Sequence, residues 1–143
     1  MKRSPMPRRR SPLRSLSPLR RAAQRGKRDH YAFLRVLVHA REGGNCARCN
    51  VHAPITVGTI QHRRKRSQGG PDDPVNCVWM CWSCNAIWVE DNPVEATWLG
   101  WTVPNGVTPQ EWPVYRTHHG VAGWWQPQDL GWVSATPHER QAA

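Results

Sequence analysis

Apolar residues recur at three- and four-residue spacing after Asp29: Tyr31, Phe33, Leu34, Leu37 and Val38. That spacing marks one face of a helix. Asp29 suits the N-cap and Gly43-Gly44 the stop, so the pattern predicts a helix over residues 29–42. The period then changes. Ile55-Thr56-Val57-Gly58-Thr59-Ile60-Gln61-His62 is short and β-branched, which predicts a strand ending at His62. Gly69-Gly70-Pro71 predicts a turn, and Asp72-Asp73-Pro74 leads out of the loop. Residues 75–80 read as the returning strand and residues 82–90 as a short helix, with Ile87, Trp88 and Val89 available for packing. Asn92-Pro93 opens another helix to about residue 99, ended by Gly100. Beyond it, residues 101–103, 113–117, 123–126 and 130–134 read as short strands between Pro and Gly turns, a small antiparallel meander. Trp98, Trp101, Trp112, Trp124, Trp125 and Trp132 crowd this last region. They could stack bases, but rings at this density are better read as the core of a chain short of Leu and Ile.

The first 28 residues break this patterning. Pro, Ser and Arg alternate irregularly, as in Ser11-Pro12-Leu13-Arg14 and Ser17-Pro18-Leu19-Arg20, with nothing to pack. Prolines at this frequency predict an extended arm over residues 1–28. Composition agrees with a thin core elsewhere: 38% of the 143 residues are hydrophobic, interrupted by 13 prolines and 11 glycines. A core this thin calls for a staple.

Charge sharpens the division. The arm holds eleven of the 20 Lys and Arg and no acid, whereas residues 29–143 carry nine basic and ten acidic side chains. The formal net charge of +10 therefore resides in the arm. A basic arm on a near-neutral body points to a polyanion, most simply nucleic acid, with a solubilising tail as the bland alternative. No apolar run approaches the roughly 20 residues of a membrane span, so no membrane partner is expected. No apolar segment follows the basic N-terminus as in a secretory signal. The expected compartment is a cytoplasm, where paired cysteines more often hold metal than form disulfides.

Two such pairs are present. Cys46-Ala47-Arg48-Cys49 and Cys81-Trp82-Ser83-Cys84 each set two thiols three positions apart, and together they offer the four thiolates of a closed tetrahedral zinc site. Redox-active or idle thiols are the alternative reading. Cys77, in an apolar run, reads as a buried small hydrophobe. His39 has no second ligand beside it and reads as packing or surface. His118-His119 reads as a surface turn. His62 stands differently, at the end of a strand and the mouth of a glycine loop, where catalytic side chains are commonly presented. The basic run Arg63-Arg64-Lys65-Arg66 follows it directly.

The combination of Cys46 and Cys49, His62-Arg63, Gly69-Gly70, Asn76 and Cys81-Cys84-Asn85 resembles the HNH endonucleases of the ββα-metal fold over residues 42–92. It looks most like the small zinc-stapled subgroup of bacteriophages and bacteria. The downstream Trp88-Val89-Glu90 and Asn92-Pro93 look like that subgroup too. The resemblance implies a DNA phosphodiester hydrolase of phage or prophage origin, which could assist genome packaging or recombination proteins. It implies His62 as general base, Asn76 holding the loop, and Gln61 and Asn85 on a divalent ion, magnesium or manganese. It implies Arg63, Arg64, Lys65 and Arg66 on neighbouring phosphates, a task suited to the guanidinium fork. One position departs from the family. The residue before the histidine is usually Asp, His or Glu, and the neutral Gln61 is a weaker ligand for a hard cation.

The expected architecture is α+β: a small ββα-metal core with a structural zinc knuckle, an N-terminal helix and a C-terminal antiparallel meander. The expected division is a disordered basic arm over residues 1–28, an HNH nuclease domain with its zinc site over 29–92, a Trp-rich helix and meander over 93–137, and a loose tail over 138–143. A noncatalytic zinc-stapled nucleic-acid-binding module is the alternative to a nuclease.

Overall fold

The computed structural model describes residues 17–142. Helix α1 (Pro18–Arg41) comes first, followed by the hairpin β1 (Thr59–His62) and β2 (Cys77–Met80). Next is α2, formed by a π-helical stretch Ser83–Trp88 that runs into a short α-helical end Val89–Asp91. Helix α3 (Pro93–Trp98) follows, then the meander β3 (Val114–His118), β4 (Val121–Pro127) and β5 (Trp132–Ser134), and finally α4 (Glu139–Ala142). Strands β1 and β2 pair antiparallel with Thr59 opposite Met80 and His62 opposite Cys77. The second sheet is antiparallel in the order β3-β4-β5. This is the small α+β fold expected, an N-terminal helix and a strand–loop–strand–helix unit with a meander behind it.

The core sits where α1, the hairpin and the C-terminal segment meet. Leu34 and Val38 from α1 pack with all four residues of β2, with Ile60, Val89 and Ala96, and with Trp101, Val114 and Trp132. Burial on both faces explains why β2 reads as a continuous apolar run rather than an alternating one. Trp79 is fully buried, and its indole N–H donates to the Ala53 carbonyl at 2.8 Å. A Cβ at Gly58 would lie 2.5 Å from the Trp79 ring, so the strand can enter only through a glycine.

Several elements differ from the sequence expectation. Helix α1 begins eleven residues before Asp29, so residues 18–28, read as part of an extended arm, are helical. Pro18 takes the first helical turn, where its missing N–H costs nothing, and the Ser17 hydroxyl accepts from the Arg20 N–H. Residues 1–16 of the expected arm lie outside the described residues. Residues 55–57 form a turn rather than the start of β1, and residues 101–103 are not a strand. Trp101 instead lies buried behind Gly100, whose φ of +83° turns the chain there. The tail expected to be loose from residue 138 contains α4, pinned by Gln141, whose side-chain amide donates to the Trp98 and Pro113 carbonyls at 2.9 and 3.0 Å.

Candidate active site and metal centre

Strand β1 delivers His62 to the mouth of the loop joining β1 to β2. Its Nε2 lies 2.6 Å from Asp72 Oδ1, and its ring stacks beside Tyr31 of α1 with centroids 6.4 Å apart. The side chain is only 12% exposed. Arg66 donates to the same Asp72 oxygen at 2.9 Å and places its guanidinium over the Tyr31 ring. His30 of α1 lies 2.8 Å from the Asp72 carbonyl. Histidine, carboxylate, guanidinium and phenol therefore form one cluster, built from β1, the loop and α1. Burial pushes the Asp72 carboxyl up, but the hydrogen bonds from His62 and Arg66 outweigh it and hold the group below the usual carboxylate value.

The loop that carries Asp72 is held by Asn76. Its Oδ1 accepts from the Arg64 N–H at 2.7 Å, and its Nδ2 donates to the Arg64 and Pro71 carbonyls. The Asn76 N–H in turn donates to Asp73 Oδ1. Asn76 is wholly buried, so these bonds are shielded from competing water. Gly70 closes the turn, because a Cβ there would fall 1.8 Å from the Arg64 carbonyl oxygen.

Gln61 and Asn85 occupy the neighbouring ground. Asn85, within the π-helical part of α2, donates from Nδ2 to Thr59 Oγ1 at 2.7 Å and to the Ile60 carbonyl at 3.3 Å. Gln61 is buried and donates from Nε2 to the Trp101 carbonyl at 3.2 Å. Strand alternation puts Thr59 and Gln61 on one face of β1 and His62 on the other. The helix thus ties Asn85 to the strand that carries His62, but no hydrogen bond among the described residues joins Gln61, His62 and Asn85 to one another.

The basic run divides. Arg63 is a correction: expected at phosphates, it is 0% exposed and lies inside the protein. Its guanidinium donates to the carbonyls of Gly100, Val75, Pro109 and Trp112. Burial, with the nearby Arg41 adding to it, lowers its pKa to about 9. Alternation explains the placement, since His62 and Arg63 leave the strand end on opposite sides. Arg64 folds back onto the Gln68 carbonyl, Lys65 reaches Glu90 at 3.4 Å on the surface, and Arg66 is exposed beside Asp72. Asp72 is the residue that sequence reasoning missed. Its signal, an acid ten positions after the histidine, also fits an ordinary loop exit.

At the other end of the hairpin the four thiols of Cys46, Cys49, Cys81 and Cys84 converge, their sulfurs all within 4.8 Å of one another. A tetrahedron of sulfurs about 2.3 Å from a zinc ion has edges of about 3.8 Å. The separation of Cys49 and Cys81 Sγ is 3.8 Å. Burial pushes the Cys84 thiol up while Arg48, 3.6 Å from its sulfur, opposes that. Four thiolates this close require a cation at their centre. The donor set and spacing fit structural zinc. Cys77 stands apart, buried in β2, with its thiol pushed up to about 12 by burial.

Residues 46–87, the stretch from the first cysteine pair through the start of α2, match the family model of HNH endonuclease. The match leaves α1 and the meander outside it. No curated protein and no solved structure matches the chain.

Proposed function

With an HNH endonuclease domain over residues 46–87 as the premise, we propose that this protein hydrolyses phosphodiester bonds in DNA, with His62 as general base. The observation that carries the reading is the 2.6 Å pair of His62 Nε2 and Asp72 Oδ1 at the mouth of the glycine loop. With Nε2–H donating to Asp72, Nδ1 keeps its lone pair and takes the proton from the attacking water. Asp72 orients the ring and stabilises the imidazolium that forms. Asn76 acts at one remove, holding the loop that carries Asp72. Lys65, Arg66 and Arg64 supply positive charge along the flanking phosphates.

Phosphoryl transfer also needs charge on the non-bridging and leaving oxygens. Gln61 and Asn85 would hold a magnesium or manganese ion that supplies it. Their fit rests on donor chemistry alone, since strand alternation sets Gln61 and Thr59, the partner of Asn85, on the face of β1 opposite His62. Each amide nitrogen already donates to a backbone or hydroxyl oxygen, so each amide oxygen is the atom left for a hard cation. Both oxygens are neutral, so they would hold such an ion only weakly without a phosphate beside them.

The alternative, a noncatalytic DNA-binding module, draws on one feature: neither Gln61 nor Asn85 brings a carboxylate to the ion. Plasmid cleavage with added magnesium or manganese separates the two. Nicking or linearisation by the wild type, reduced roughly 10²–10⁴-fold by His62→Ala with zinc content and DNA binding retained, is the expected result. DNA binding without cleavage under either ion removes the nuclease reading. Gln61→Asp then tests whether a carboxylate restores activity. A phage or prophage setting, a host cytoplasm and packaging or recombination partners complete the proposal, and they rest on the likeness to the phage subgroup.

A further inference from the structure

The N-terminal half of α1 extends beyond the body. Every side chain from Ser17 to His30 is exposed, whereas Leu34 and Val38 further along are buried. The face the helix turns inward does not change along its length, but its chemistry does. Projected at 100° per residue, Arg20, Arg21, Arg25, Lys27 and Arg28 fall within an arc of about 160°. Tyr31, Arg35 and Val38, which face the body, fall in the same arc, and the buried Leu34 lies about 20° outside it. Asp29, Ala22, Gly26 and the exposed Phe33 lie on the opposite side. Residues 17–28 contain no acid. The stripe that packs the core therefore carries five cations and the neutral Gln24 where the core ends. Where it does, Lys27, Arg28, Arg35 and Arg66 line a cleft of about 390 Å³ together with Tyr31 and Asp72, the partners of His62.

We propose that this overhang is a docking surface for duplex DNA, a rigid cationic rail that follows the sugar-phosphate backbone on one flank of His62. The inference rests on the nuclease reading for its occupant and on α1 for its geometry. A solvated basic helix would gain nothing from sorting its cations into one arc that reaches the cleft. A polyanion running through the Lys27–Arg66 cleft explains that sorting by charge complementarity. From Pro18 to Tyr31 the helix spans about 20 Å at 1.5 Å per residue. At 3.4 Å per base pair this covers about six base pairs, all to one side of the catalytic histidine. The rail reads no base edges, so it supplies affinity and register and no sequence preference.

The test measures binding of the full chain to a 30-base-pair duplex without added magnesium or manganese, across a salt series. The variant combines Arg20→Gln, Arg25→Gln, Lys27→Gln and Arg28→Gln, substitutions that preserve helix propensity. Affinity is expected to fall roughly tenfold or more, and the slope of log K against log salt to flatten by roughly 3–4. A second variant, Arg20→Lys, Arg25→Lys and Arg28→Lys, should keep both near wild type. Hydroxyl-radical footprints should lose about six base pairs of protection on one side only. Unchanged affinity and slope in the glutamine variant, with its helix content intact by circular dichroism, overturn the rail. A rail-dependent affinity in a protein that cleaves nothing keeps the rail and removes the nuclease.

Discussion

The Asp72 carboxylate accepts from His62 at 2.6 Å and from Arg66 at 2.9 Å, so one oxygen joins the proposed base to the exposed cation beside it. Burial raises the carboxyl, the two hydrogen bonds lower it further, and the net shift is downward. A folded-state pKa below the unfolded one means stability that is present above about pH 4 and lost as pH falls through the folded value. The difference in unfolding midpoint between wild type and Asp72→Asn should therefore vanish as pH falls through the folded carboxyl value, as urea titrations at several pH values would reveal. The same variant should cut cleavage by roughly 10²-fold, because the imidazole loses its orienting acceptor. A variant as active as wild type would remove Asp72 from the site. Asp72 could not be told from Asp73 in the sequence. The fold separates them, sending Asp72 to His62 and Asp73 to the Asn76 N–H.

Among the elements, the end of β1 is held by Arg63. One guanidinium gathers four carbonyls from the β1–β2 loop, the α3 end and the segment before β3, joining the hairpin to the C-terminal third. Replacement by methionine leaves buried acceptors unpaired and should destabilise the protein by about 3 kcal/mol or more. Lysine has no planar fork and should rescue little of the loss. Denaturant unfolding measures both. A mild Arg63→Met variant that also lost DNA affinity would return this residue to the phosphates. The hairpin, the meander and helices α2 and α3 were legible because their punctuation is local: glycine and proline turns, β-branched runs, Asn92-Pro93. The start of α1 was not. Frequent proline breaks a helix in its interior, but Pro18 sits at the first position, where it is tolerated.

At the scale of the whole molecule, two fastenings join parts distant in sequence. The cysteine cluster ties the knuckle after α1 to the start of α2, with the Ala47 N–H donating to the Trp79 carbonyl at 2.8 Å. Cys81→Ser, or removal of zinc by a strong chelator, should lose the metal and unfold the domain, since structural zinc contributes to folding directly. Metal analysis beside circular dichroism checks this, and a folded, metal-free variant would remove the staple. The second fastening is Glu42 at the end of α1. Its buried carboxylate accepts from Arg41, from Arg116 of β3 at 2.7 Å and from the Trp132 indole of β5. Tryptophan divides accordingly. Trp101, Trp112 and Trp132 are buried, as core rings should be, while Trp98 and Trp82 remain exposed.

The sequence by itself determined the four-cysteine cluster, the ββα order, the meander and the place of His62, because each follows from spacing along a short stretch of chain. Only the tertiary structure decided which charges face inward. Arg63 is buried, Arg66 meets Asp72, and the cations of α1 line up on the face that leads to His62. These outcomes depend on which side of a strand or helix each residue occupies and on what packs opposite, which local pattern does not encode.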